Sequence, residues 1–502
     1  MIALPAGPRR RWVQLGALLV FALLFLGTRG LWDPDEGRYS NVAINMVDSG
    51  DWLTPRRNED VGHWTKPPLT YWAVGASIAT FGRNPWAARL PSAFAFVLCA
   101  VLVWRIARRL APGTEDVAAT MYATMLLPWI GSQLVTTDFI LAACETFALA
   151  AYVEGRWGTR GRMGYALMWV GFAFAFLAKG PPALLPLLAV LATELAVPGR
   201  RRAFSLVGVS LFVVIAGAWF VAVVARTPQL ATYLLGNEVV GRVASNDFGR
   251  HGEWYGWLVV YVPTLLLGSL PWTLPVLRAA RGQLARLPQW RATAVRAAEP
   301  EQVLLLGWWL LPLIVFCLAR SRLPLYLLPL FVPLAISAAA RFVQQDRAIR
   351  WPWLGIWLVV LLAIRVVGAY VPSTQDARAW GDALRNRSSA PIARIIFVDT
   401  PAHYGLRLHL GAEVRTISSS PLARAEVERI NPKFDGDLVS MLKRDPTQAT
   451  SLWVTPQDRW DDVRRQLGAD GYVPIPVGAA YRGFVVFRPV RAGVASGVIL
   501  GQ

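Results

Sequence analysis

Long apolar runs, each of roughly 17 to 25 residues, recur along the first three quarters of this 502-residue chain, and nothing constrains its fold more. Each can cross about 30 Å of hydrocarbon as a helix, the form in which a span satisfies its own backbone hydrogen bonds. Eleven spans are expected, at 12–32, 86–104, 117–135, 139–153, 163–178, 181–197, 204–225, 255–277, 302–319, 323–340 and 351–370. The aromatic stretch Leu69 to Phe81 reads either as a further span or as a surface lid, so the count lies between eleven and thirteen. With 55% hydrophobic residues and a mean hydropathy of +0.39, a soluble protein of this size is excluded.

The first run follows Arg9–Arg11 as a secretory leader would, but no small-residue cleavage site comes after it, so it reads as an uncleaved first span. Cys99, Cys144 and Cys317 all fall inside expected spans and give neither a metal spacing nor a disulfide framework.

The formal net charge of +19 would point to nucleic acid in a soluble chain; here its placement sets topology. Arg9–Arg11, Arg105/Arg108/Arg109, Arg156/Arg160/Arg162, Arg200–Arg202, Arg278 to Arg296 and Arg341 to Arg350 occupy every second loop. By the positive-inside rule those loops and the N-terminus are cytoplasmic. The opposite face then carries Asp35, Lys66, Asp138, Lys179, His251 and Arg322, and an odd number of spans sends everything after Tyr370 to that face too.

Beyond Tyr370 the patterning turns soluble. ARIIFVD, TSLWVTP and YRGFVVFRP read as strands and DRWDDVRRQLG as a helix, giving a small α/β domain over 371–502. It has no glycine-rich phosphate loop and no nucleophile elbow, so a supporting or acceptor-shaping role is expected. The fold class is therefore mainly α: a polytopic helix bundle over 1–370, with the candidate catalytic loop at 33–68, and a C-terminal α/β domain outside the cytoplasm.

That loop is polar and aromatic between two apolar runs. Asp33-Pro34-Asp35-Glu36, followed by Tyr39, Val42, Ala43, Met46 and Val47, reads as an amphipathic helix lying along the interface. Asp33 would be its N-cap, Pro34 its first residue, Glu36 the capping-box partner and Gly50 its end. Capping and dipole compensation account for Asp33 and Glu36 as well as catalysis does. Asp35 is not needed for capping and is the leading functional carboxylate.

Only four of the 51 basic residues are lysines, and two of them, Lys66 in TKPP and Lys179 in AKGPP, sit at membrane edges. A compact ammonium there suits a phosphate oxygen, against the plainer reading of an edge lysine snorkelling to headgroups. Asp138, in TTDFILAAC, opens an apolar run; it can serve a helix N-terminus, but a charge at a membrane boundary is a functional candidate. ARSRLPLY is expected to set Arg320, Arg322 and Tyr326 on one face, and Glu238, Arg242, Arg250 and His251 add to the charges there. A lone histidine such as His251 is more often structural than catalytic. Together these groups suit an enzyme acting on a lipid-linked phosphate. A lipid transporter or flippase is the rival from another class, but transporters place ionisable groups near the midplane on broken helices.

The segments DEGRYSNVAINMVDSGDWLTP, TKPPLTYW, TTDF, FLAKGPPAL and SRLPLYLLPLFVPLA resemble, in order and spacing over about the first 340 residues, the integral-membrane GT-C glycosyltransferases that use polyprenyl-phosphate sugars. The likeness is nearest to the branch that transfers 4-amino-4-deoxy-L-arabinose to lipid A, itself related to protein O-mannosyltransferases; HYGLRLHLG also resembles that branch's extracytoplasmic domain. The resemblance implies a bacterial inner-membrane protein with a periplasmic site. It makes Asp35 the key acid, with Glu36, Arg38 and Tyr39 beside it, Asp138 the second acidic position, and Lys66 and Tyr326 the holders of the donor phosphate. Lys179, Arg320, Arg322 and His251 are carried as further substrate-binding candidates. The chain departs from that branch in having TKPP where an acidic residue usually precedes the lysine, and it is shorter.

The expected reaction moves a sugar, with inversion, from an undecaprenyl-type phosphate donor to an extracytoplasmic acceptor, here lipid A phosphate. Transfer of mannose or another sugar to protein or glycan is the alternative. Asp35 and Glu36 could hold a divalent cation, but two carboxylates without a histidine cluster commit to no metal.

Overall fold

A computed structural model of the chain describes residues 8–197, 202–234, 236, 251–423, 429–444 and 450–493. Glu238, Arg242 and Arg250 lie outside the described residues. The chain divides into two compact units, one of Met1–Leu26, Thr65–Thr70 and Arg89–Val367, the other of Gly27–Trp64, Tyr71–Ala88 and Gly368–Gln502. The cut differs from the boundary at 370 read from the sequence, because most of the first loop is tied to the C-terminal region by ion pairs described below.

The first unit is helical. All eleven expected spans are wholly or partly helix, and six helices among the described residues are long and apolar enough to cross a membrane unbroken. Of the others, the 139–153 run is one unbroken helix, Thr137–Arg156, that carries several charges, and the rest are short or interrupted. The 117–135 run is two helices, α5 (Glu115–Thr124) and α6 (Leu126–Gly131), either side of Met125. The 255–277 run bends by 115° between Gly256–Gly268 and Thr273–Leu284, at a break containing Pro271. Leu69–Phe81 is one 13-residue helix, α3, and Pro85–Leu110 is a 26-residue helix, α4.

Polar backbone inside this unit is closed by a few buried arginines. The guanidinium of Arg365 donates to Gln133 Oε1 (2.7 Å) and to the carbonyls of Phe21, Ala22 and Leu24, capping the open end of α1 (Pro8–Leu23). A charge inside a span is tolerated when carbonyls satisfy it in this way.

Two antiparallel helices, α7 (Thr137–Arg156) and α8 (Gly161–Lys179), form a close hairpin. Small residues permit the approach: a Cβ on Gly171 would stand 2.9 Å from the backbone of Ala148, and one on Gly164 2.5 Å from that of Gly155. Because the hairpin turns at Arg156–Gly161, the first turn of α7 lies beside the last turn of α8. That brings Asp138 to Lys179.

In the second unit, five strands run in the order β2-β1-β3-β5-β4, with β1 (Arg394–Val398), β2 (Glu413–Ile417) and β3 (Ser451–Pro456) parallel. The strands β4 (Tyr472–Pro476) and β5 (Phe484–Arg491) join antiparallel. The expected strands are β1, β3 and β5, and the expected helix is Trp460–Ala469. Apolar side chains fill both faces, with Ile395, Phe397 and Val454 on one and Ile396, Trp453 and Phe487 on the other.

The amphipathic helix of the first loop, α2 (Asp35–Ser49), also belongs to this unit and packs against Leu406–Leu410. Its buried residues, including Glu36, Gly37, Ser40, Asn41, Val42 and Ile44, face in all directions round the helix. It is therefore embedded in protein, where an interfacial helix was expected. The capping expectation is also corrected. Pro34 stands at the N-cap without a side-chain hydrogen bond, and Asp33 Oδ1 instead accepts from Gly405 N (3.1 Å). Glu36 Oε2 accepts the Trp32 N–H at 2.9 Å, one residue outside the expected box. Gly50 does end the helix, in the left-handed conformation with φ of 71°.

Three ionic ties bind the loop to the C-terminal region. Arg57 meets Asp435 (2.6 Å) and the Pro432 carbonyl (2.9 Å); Asp48 meets Arg407 (2.7 Å); and Asp60 accepts from Arg444 and from the buried Arg415 (2.7 Å). Arg415 also holds Glu413 at 2.6 Å, which in turn accepts from Arg394 at 3.0 Å.

Candidate functional site

The sequence candidates fall into the two units, and each group is built by its own neighbours. Within the first unit Asp138, Lys179 and Tyr326 come together. Thr136, the N-cap of α7, accepts the N–H of Asp138, which fixes the first helical turn. The Asp138 carboxylate pairs with the Lys179 ammonium, and that ammonium lies 4.0 Å from the centre of the Tyr326 ring. Both charged side chains are almost closed off, at 11% and 9% exposure. The pair completes the helix dipoles of α7 and α8, with an acid at an N-terminus and a base at a C-terminus.

Seven residues along the same helix, Glu145 is buried and feels the charges of Lys179 and Asp138. Sequence reading passed over it; a carboxylate in the middle of an apolar run was the available signal. Lys66, half-buried in the same unit, donates to the Thr65 carbonyl at 2.8 Å.

Arg320 and Arg322 precede the helical turn that carries Tyr326. The helix Pro300–Leu318 ends before them, and the next helical turn begins at Pro324, so the arginines stand on irregular backbone. Arg320 is exposed. Arg322 is buried, and its guanidinium is spent on the carbonyls of His251 (2.5 Å), Glu253 (2.6 Å) and Cys317 (3.0 Å). It clamps the segment that begins at His251, where the histidine backbone has a positive φ of 54° and the side chain is exposed.

Within the second unit, Asp35 and Arg38 form an ion pair on the first turn of α2, and the Asp35 side chain is 51% exposed. The Arg38 guanidinium lies 5.5 Å from the Tyr39 ring, which meets Tyr71 at 5.9 Å. Glu36 is occupied structurally: it is 2% exposed and binds Arg29 at 2.7 Å in addition to the Trp32 N–H. Two residues before Asp35, the buried Asp33 faces His403 Nδ1 at 3.4 Å, and His403 stacks on Trp380. Burial raises the Asp33 pKa, with His403 and the Gly405 N–H working the other way. Among the described residues no group of three or more His, Cys, Asp or Glu side chains gathers as metal ligands.

The arrangement gives the first unit a desolvated cation beside an acid and an aromatic ring, which suits a phosphate headgroup at the end of a lipid chain. It gives the second unit an accessible carboxylate held by an arginine one turn away.

Residues 65–225 match the family model described as dolichyl-phosphate-mannose-protein mannosyltransferase. The chain is 32% identical over 372 residues to the undecaprenyl phosphate-alpha-4-amino-4-deoxy-L-arabinose arabinosyl transferase of Pectobacterium carotovorum, covering 70% of this chain and 64% of that protein. It is 32% identical over 347 residues to the transferase of the same name from Edwardsiella ictaluri, covering 66% and 59%. The chain thus spans less than two thirds of the length of either relative. In fold it matches the crystal structure of ArnT from Cupriavidus metallidurans bound to undecaprenyl phosphate, with a TM-score of 0.74 and 21% identity over 96% of this chain and 98% of that one. These similarities bear out the resemblance carried by the sequence motifs, and with it the expected fold class: a multi-pass membrane helix bundle with a small C-terminal sheet domain.

Proposed function

We propose that this chain, which has the fold of the integral-membrane GT-C glycosyltransferases and is related in sequence to their undecaprenyl phosphate-aminoarabinose branch, is itself a polyprenyl-phosphate-dependent glycosyltransferase. The donor is a sugar on undecaprenyl phosphate, the sugar 4-amino-4-deoxy-L-arabinose, and the acceptor a lipid A phosphate on the periplasmic side of a bacterial inner membrane. The observation that carries the reading is the desolvated Asp138–Lys179–Tyr326 cluster, on a chain whose relatives are named for that donor.

In the reaction, an acceptor oxygen attacks the anomeric carbon from the side opposite the phosphate. The carbon–oxygen bond to the carrier breaks, and undecaprenyl phosphate leaves with the bonding pair. Negative charge grows on the leaving phosphate, so the protein's task is to place cations where that charge appears. Lys179 and Lys66 are the cations assigned to this role, with Tyr326 packing the headgroup. Loss of one should cost on the order of 10² to 10³ in rate.

Arg322, already spent on three carbonyls, positions the segment from His251. Asp35 orients the sugar or meets the positive charge that develops on its ring. A lipid A phosphate is already ionised and needs no base; were the acceptor a hydroxyl, Asp35 would be the general base. The basic loops face the cytoplasm and the C-terminal domain faces the periplasm.

The match of residues 65–225 to a mannosyltransferase model favours one second reading, transfer of mannose or another hexose to protein or glycan. Mass spectrometry of lipid A separates the two, in cells that make the aminoarabinose donor, with and without this gene. A pentosamine increment that depends on the gene and is lost in Asp35→Asn is the expected result. No increment from well-expressed protein would overturn the lipid A assignment.

A further inference from the structure

A cavity of about 950 Å³ opens within the first unit, among the basic ends of its helices and away from the Asp138–Lys179 pair in sequence and in lining. Its size is at the upper end of ordinary ligand pockets, roughly 300 to 1,000 Å³. Its lining changes character along its length. One end carries Arg11, Arg105, Arg108, Arg109 and Arg160; the rest is largely apolar, with Leu18, Phe21, Val101 and Leu358 among the walls.

The lining follows α1 from Arg11 to Phe21. At 1.5 Å per residue those ten steps measure about 15 Å, half of a hydrocarbon core of about 30 Å. The cavity therefore has the depth of one leaflet, with charge only at its headgroup end.

The charges at that end do not balance. Against five arginines stand two carboxylates, Asp116 and Glu154, and both are already engaged. Asp116 pairs with Arg10 at 3.2 Å and accepts from Trp104 Nε1 at 2.9 Å, while Glu154 pairs with Arg109 at 3.1 Å. Arg11 and Arg108 have no carboxylate partner among the described residues. Both guanidiniums instead lie against the Trp104 ring, at 4.9 Å and 5.5 Å from its centre. Two cations on one indole, at the mouth of an apolar groove, form a seat for an anion that carries a hydrocarbon tail.

We infer that this cavity binds one anionic phospholipid of the leaflet on the basic side, its phosphate between Arg11 and Arg108 and an acyl chain along α1. The site is separate from the one assigned to the sugar donor. It rests on no assumption about the reaction, only on the chain's being a membrane protein.

The test uses full-length protein reconstituted into nanodiscs of phosphatidylcholine with phosphatidylglycerol, followed by native mass spectrometry of lipids retained on release. Wild-type protein is expected to keep one phosphatidylglycerol in preference to phosphatidylcholine. Each of Arg11→Gln and Arg108→Gln should lower that preference about fivefold, from the usual attraction of one basic residue for an anionic membrane. Ala100→Trp, which keeps every charge but fills the groove, should also lose the lipid, and Arg347→Gln, away from the lining, should not. Size-exclusion profiles and helical circular dichroism identify any variant that fails to fold, and the remaining variants then decide. Equal retention of both lipids by wild-type protein, or phosphatidylglycerol retained undiminished by both Arg→Gln variants and by Ala100→Trp, would overturn the inference. So would displacement of the retained lipid by stoichiometric undecaprenyl phosphate, which would make the occupant the carrier lipid.

Discussion

The Asp138–Lys179 pair of the first unit and the Asp60 network of the second handle charge in opposite ways. In the first, Asp138 pairs with Lys179, each side chain about one tenth exposed, with an aromatic ring over the cation and the buried Glu145 feeling both charges. In the second, Asp60 shares its carboxylate between Arg444, 45% exposed, and Arg415, which passes the charge on to Glu413 and Arg394. A desolvated pair is strongly destabilised when one partner goes, because the survivor is left as a charge in low dielectric. A half-solvated network redistributes the loss among its members and water. The desolvated pair is the more costly arrangement to maintain, which is why it draws attention as chemistry and the half-solvated network as scaffolding.

The sharpest way to break this contrast is Lys179→Ala. It should destabilise the purified protein by about 3–5 kcal/mol, read from thermal unfolding in detergent, and remove transfer. The double variant Asp138→Leu/Lys179→Met should regain most of that stability and none of the transfer. Recovery of both would reduce the pair to a structural role.

A somewhat smaller loss, about 3 kcal/mol, is expected from Arg415→Ala, since this fully buried arginine neutralises Glu413 and holds Asp60. Hydrogen exchange should rise in Glu413–Ile417 and in the 56–62 segment together; a rise in the strand alone would show that the loop is held by other ties.

At Asp60 the effect should be under about 1 kcal/mol, because the carboxylate is 39% exposed. The hydrogen bond from Arg444, followed by the hydrogen bond and charge of Arg415, lowers its pKa to about 2 from 3.8, against some burial. Its contribution is therefore fully present above pH 3.8 and is lost as pH falls through about 2. Asp33 has the opposite sign: with its pKa raised by burial, its contribution is complete below 3.8 and is lost as pH rises through the folded-state value. Asp33→Asn should accordingly raise the unfolding midpoint slightly at pH 7, while Asp60→Asn lowers it slightly; reversed signs would refute the assignment.

The smallest change in stability is expected at Asp35, a half-exposed carboxylate paired with Arg38 three residues on. Asp35→Asn should leave the midpoint unchanged, so any loss of transfer would be chemical.

Much of this was legible in the chain. Each expected apolar run is helix wholly or in part, because hydrocarbon demands length and continuity, while the bend at Pro271 left no mark in the hydropathy of its run. Strands β1, β3 and β5 announced themselves by β-branched and aromatic residues. Strand β2, EVRTI, did not, since Glu413 and Arg415 look like solvent-facing positions; they are buried because Asp60 and Arg394 pair with them. The edge strand β4 was hidden by Pro474 and Pro476. The same limit applies at the site. Residue type singled out Asp138 and Lys179 separately, but pairing across 41 residues depends on the α7–α8 hairpin. Arg322 looked available for substrate because its partners are backbone carbonyls, which leave no mark in a sequence.

The proposed reaction breaks the sugar–phosphate bond of an undecaprenyl-linked donor. The most direct measurement is release of undecaprenyl phosphate by purified protein given the aminoarabinose donor and lipid A in mixed micelles, with Asp35→Asn and Lys179→Ala in parallel. Wild-type protein is expected to release it, matched one for one by sugar on lipid A, and either variant to release at least about 10²-fold less. Donor left intact by folded wild-type protein, or consumed equally by all three, would contradict the proposed reaction.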